Sequence, residues 1–133
     1  MNARFGLVSA TFAASIALFA TSSARADADP AKEVATAAQH AGLAAKATDI
    51  KMTQMHLHHV VNCLVGPNGT GFDATPGNPC KDQGAGAIPD TSDAKQKAQL
   101  QQALAKANDG LKQADMAAAQ KDATDAQGLL AAK

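Results

Sequence analysis

Met52, Met55, His56, His58 and His59 place five potential metal ligands within eight consecutive residues. Neutral imidazole and thioether groups suit soft and borderline ions, copper above all, with nickel and zinc as alternatives. On a helix, spacing decides which of them can act together. His56 and His59 (i, i+3) share a face, as do Met52 with His56 and Met55 with His59 (i, i+4). His58 points about 200° away from His56 and falls outside that set. His40 is the remaining histidine. A chain that turns back near Thr48 brings residue 40 level with residue 56, so the candidate metal ligands are His40, Met52, Met55, His56 and His59. The competing reading makes these histidines polar surface and the methionines fillers of a small second core.

No catalytic pattern accompanies the stripe. H-E-x-x-H, C-x-x-C and calcium-loop motifs do not occur. Gly66, Gly69 and Gly71 lack the Gly-Lys-Ser/Thr that would cradle a phosphate. Asn68-Gly69-Thr70 matches an N-glycosylation acceptor but reads as an ordinary turn. Ser92 reads as a helix cap, and Glu33, near a helix start, as a charge compensating the helix dipole. The chain offers no activated nucleophile and is not read as an enzyme.

Four helical segments would position the stripe. The first spans about Ala31–Ala47 behind Pro30, with Val34, Ala38, Ala41 and Ala45 at helical spacing. The second follows Thr48-Asp49, carries Ile50, Leu57, Val60, Val61 and Leu64, and stops at Gly66-Pro67. The third starts near Asp93 with Leu100, Leu104, Ala107 and Leu111. The fourth follows Asp115 with Met116, Ala119, Ala123, Ala126 and Leu130. Between the second and third, residues 66–92 hold four of the five prolines and most glycines, which predicts a long non-helical loop.

The halves look repeated. Asp49-Ile50 and Cys63-Leu64 align with Asp115-Met116 and Leu129-Leu130, and Gly42-Leu43 aligns with Gly110-Leu111 after a two-residue shift. Each half is then a helical hairpin, and two hairpins that cannot bury their apolar faces alone pack together. The expected fold is all-α: an up-down four-helix bundle of two repeated hairpins (31–65 and 93–131) joined by the loop 66–92. The repeat assigns Ile50, Thr53, Leu57, Val60 and Leu64 to the seam, so bundle packing does not explain the Met/His stripe.

Residues 1–26 read as a cleavable signal peptide. Arg4 precedes an uncharged apolar stretch, Phe5–Ala20, and Ala24-Arg25-Ala26 supplies small residues at the cleavage site. This predicts export to a bacterial periplasm, with no membrane anchor after cleavage and one domain over 27–133. Cys63 and Cys80 fit an oxidising compartment as a disulfide. Closing their loop would stabilise the fold by about 3 kcal/mol. The mature chain has ten lysines, no arginine and twelve acids, a net charge of −2 with neutral histidines. Without arginine forks or a basic stripe, and with Phe72 as its only Phe, Tyr or Trp, nucleic acid is not an expected partner. The expected partner is a metal ion or, if the helix face and tethered loop form an interaction module, an envelope protein.

With its histidines on exported, alanine-rich helical hairpins, the chain resembles the small periplasmic metal-binding protein family. That resemblance covers about 31–65 and 93–131. It implies a four-helix bundle associated with copper and other divalent ions, and it supports a centre at His40, His56 and His59. Ala103–Ala119, with its Ala-Asn-Asp-Gly turn region, is similar to the last hairpin of the periplasmic b-type cytochromes. Their haem takes a methionine from the first helix and a histidine from the last. This sequence has neither there, so no haem is expected.

Overall fold

The computed structural model describes residues 27–132, and the signal peptide expected at 1–26 lies outside the described residues. Among the described residues five helices form: α1 Pro30–Lys46, α2 Ile50–Val65, α3 Ala87–Asp90, α4 Ala94–Lys112 and α5 Met116–Ala131. Each long helix starts on an aspartate whose carboxylate accepts a first-turn backbone N–H. These bonds run from Lys32 to Asp29 (2.9 Å), Met52 to Asp49 (2.9 Å), Gln96 to Asp93 (2.6 Å) and Ala118 to Asp115 (2.8 Å). A charged acceptor satisfies an orphan donor and meets the positive end of the helix dipole. Asp93, not Ser92, therefore caps α4. Among the described residues no helix is long and apolar enough to cross a membrane.

Three-residue connections, 47–49 and 113–115, turn α1 onto α2 and α4 onto α5 as antiparallel hairpins. The hairpins then pack α1 against α5 and α2 against α4, giving the up-down bundle. Its core is small-residue: Ala37, Ala41, Ala44, Ala103, Ala107, Ala119, Ala123 and Ala126 are fully buried around Leu57, Val60, Leu64, Leu100 and Leu130. Alanine at these positions lets the helices approach closely. A Cβ on Gly110 would stand 2.8 Å from Leu57 Cδ1, which shows how little space separates α4 from α2.

The repeat is structural, and one offset of 66 residues describes it throughout. Thr53, Leu57, Val60 and Leu64 are buried, and so are Ala119, Ala123, Ala126 and Leu130. Ala37, Ala41 and Ala44 likewise pair with Ala103, Ala107 and Gly110, all buried. The two-residue shift inferred from Gly42 and Gly110 is thus incorrect: Gly110 matches Ala44, and both are buried small residues two positions before their helix ends. The Ile50/Met116 pair also leaves the core, with Met116 37 % exposed. Hydrogen bonds repeat too. Gln54 Nε2 donates to Gln113 O (3.3 Å), while its mate Gln120 donates to Ala47 O (2.8 Å), the mate of Gln113. Each hairpin caps the other's turn.

The segment 66–92 is not wholly irregular, since α3 forms a single turn within it despite Pro89. Proline is tolerated there because the first N–H groups of a helix have no intrahelical acceptor. The loop is fastened to the first hairpin in several places. Cys63 and Cys80 form the disulfide, both buried, with Cα atoms 5.2 Å apart.

Glu33 provides another fastening. It is only 1 % exposed, its Oε1 accepts from Gly86 N (2.9 Å), and its Oε2 has no donor. Dipole compensation at a helix start is therefore not its main role. Burial, with Asp90 and Asp29 nearby, pushes its carboxyl up to about 7 from 4.5. A carboxyl that keeps its proton in the folded state stabilises most below its unfolded pKa, and that contribution is lost as pH rises through about 7. Glu33→Gln, which can accept from Gly86 and donate to Asp90, is expected to add about 1–3 kcal/mol at pH 8 and almost nothing at pH 4.5. Thermal melts at both pH values check this. Coincident curves for variant and parent at pH 8 would refute it.

Candidate metal centre

The tight α1–α2 connection places His40 of α1 opposite His56 and His59 of α2. The three side chains are half-buried, and their ligand nitrogens lie within 4.8 Å of one another. His40 Nδ1 is 3.1 Å from His56 Nδ1 and 3.2 Å from His59 Nδ1. The rings stack edge to face or tilted, with centroids 4.6 to 5.7 Å apart. Two nitrogens each about 2.0–2.1 Å from a common zinc- or copper-sized ion stand roughly 3.3 Å apart in tetrahedral geometry. The two spacings from His40 match that closely.

Proton placement sharpens the point. His59 Nε2 lies 2.7 Å from the Pro76 carbonyl, which only accepts, so Nε2 carries the hydrogen. In neutral His59, Nδ1 then holds a lone pair facing His40. A ring nitrogen carries either a hydrogen or an in-plane lone pair, so His40 Nδ1 cannot make good hydrogen bonds to both neighbours. The environment favours neutral rings: burial, then His59 and His56, pulls His40 down to about 4 from 6.5. Burial, then His59, also lowers His56.

The repeat gives an internal comparison. Positions 40, 56 and 59 correspond to 106, 122 and 125, which are Lys106, Asp122 and Asp125. Lys106 Nζ lies 3.8 Å from Asp122 Oδ1 and 3.7 Å from Asp125 Oδ2. The fold thus gathers these three positions in both hairpins. In the second, a lysine ammonium occupies the cluster; in the first, three imidazoles face one another.

The chain matches no protein-family description, no curated protein and no solved structure. The centre must be read from its own geometry. Met52 is 42 % exposed and Met55 half-buried, each one turn before a triad histidine. His58 stands outside the convergent group, half-buried, with Nδ1 lacking a hydrogen-bond partner. The sequence reading overlooked two contributors, Asn62 and Pro76. A polar residue inside the run Val60-Val61-Asn62-Cys63-Leu64-Val65 was the available signal for the first. Nothing in the spacing could have assigned the second, a backbone carbonyl delivered by a loop.

Proposed function

We propose that this chain is an exported metal-binding protein of the bacterial periplasm that captures one copper-like ion, with nickel and zinc as alternatives, through His40, His56 and His59. The observation that carries this reading is His40 Nδ1 facing the Nδ1 atoms of both partners at 3.1 and 3.2 Å. Imidazole nitrogens favour late first-row ions over magnesium or calcium, which prefer oxygen. Met52 and Met55 are the nearest candidates in sequence for a fourth, soft donor, and a thioether there would favour copper. The disulfide accords with export.

Equilibrium dialysis of the mature protein against copper, nickel and zinc salts tests the reading. One ion per chain is expected near neutral pH. Because His40 and His56 stay neutral below the usual imidazole range, half-release on acidification is expected below pH 6.5. Uptake of no ion would reject the function. Release centred above pH 6.5 would contradict the account of the donors.

A further inference from the structure

Asn62 is a fully buried polar residue in the most apolar stretch of α2, one turn beyond His59. All of its side-chain hydrogen bonding goes to the loop. Its Nδ2 donates to Asp73 O (2.6 Å) and Gly77 O (2.8 Å), and its Oδ1 accepts from Asp73 N (3.0 Å). Those bonds pin the two ends of the segment 73–77. Between them lies Pro76, whose carbonyl receives His59 Nε2. The disulfide adds a second pin, from Cys63 beside Asn62 on α2 to Cys80 in the loop.

We propose that Asn62 is the positioning residue of the metal centre: by clamping 73–77 it holds the Pro76 carbonyl on His59 and so fixes the Nδ1 lone pair toward His40 and His56. This rests on the metal-binding reading above and adds how the ligand is oriented. A histidine ligand needs its second nitrogen committed elsewhere, or the ring rotates and exchanges tautomers. Here the committing group is a loop carbonyl, and a loop has no rigidity of its own. A primary amide suits the task, because it can donate to two backbone carbonyls and accept from an N–H at once. Aspartate has the same shape but presents an acceptor where both carbonyls already stand.

The internal repeat isolates the device. The mate of Asn62 is Gly128, where an added Cβ would meet nothing within 4 Å, and the mate of Cys63 is Leu129. The helix-to-loop clamp therefore belongs only to the hairpin that carries the histidines. A residue needed merely to complete the bundle would have a counterpart in the other half.

The test is the ¹⁵N spectrum of the imidazole rings in the metal-free mature protein, read with zinc affinity. In the parent, His59 is expected as a single Nε2–H tautomer. In Asn62→Ala, its two nitrogen shifts should move toward a tautomer average, and zinc affinity should fall about 10- to 100-fold, as for other outer-shell losses. Gly77→Ala guards against simple unfolding. Gly77 has φ +98°, so alanine there strains the loop, while its Cβ would stay 3.9 Å from His59 Nε2. It should shift His59 in the same direction. A His59 ring that keeps the parent tautomer in both folded variants would overturn the proposal. Because that readout needs no metal, it is separate from the capture reading, which fails if the parent takes up no ion.

Discussion

Replacing His40 with alanine is expected to abolish stoichiometric metal uptake while the helices stay folded. His40 is the shared partner of the triad, within 3.1 and 3.2 Å of the other two ring nitrogens. Without it His56 and His59 remain as an i, i+3 pair on one helix. Affinity should fall by more than the ten- to hundredfold that an outer-shell residue commands. Stability should barely change, since the ring is half-buried outside the alanine seam and alanine is the best helix former. Calorimetric titration beside far-UV circular dichroism checks both halves. His58→Ala is the control and should bind like the parent. Equal loss in both variants would show that a diffuse histidine surface, not the triad, takes up the ion.

The second large effect concerns the disulfide. Cys63 and Cys80 are 17 residues apart, and cross-linking a loop of that length restricts the unfolded chain by about 3 kcal/mol. For a domain of this size that corresponds to a melting temperature lower by roughly 12–24 °C in the Cys63→Ala/Cys80→Ala variant. An alanine core has little in reserve, because each buried alanine removes less apolar surface from water than a leucine would. Differential scanning calorimetry measures the shift. A change of only one or two degrees would mean that Asn62 and Glu33 hold the loop without covalent help.

Much of this fold was legible because helical periodicity, aspartate caps and the Gly66-Pro67 stop all acted locally. The hairpin turn at 47–49 brought His40 level with His56, a consequence of counting residues along two antiparallel helices. Gly42 and Gly110 misled the alignment because sequence similarity weighs glycine heavily, whereas packing pairs Gly110 with Ala44 for their small volume. Of the loop fastenings the disulfide was legible, but those at Glu33 and Asn62 were not, for a different reason. Whether a carboxylate near a helix start faces water or a buried N–H depends on where residues 84–90 return, which no local pattern encodes. The same holds for the Pro76 carbonyl, since backbone groups leave no mark in residue types.

The lysine-filled cluster in the second hairpin bears on how the centre should be understood. One scaffold position appears twice, once as an ion pair of Lys106 with two aspartates and once as three imidazoles. At 3.7 and 3.8 Å, these half-buried ion-pair contacts contribute little to stability. Its value here is geometric: it shows that the proximity of the three histidines follows from the repeat rather than from the histidines themselves.

X-ray absorption at the metal edge of the copper- or zinc-loaded mature protein is the most direct trial. Three imidazole nitrogens at about 2.0 Å around one ion per chain is the predicted shell. A shell of oxygen scatterers alone, or one unchanged in the His40→Ala/His56→Ala/His59→Ala variant, would contradict it.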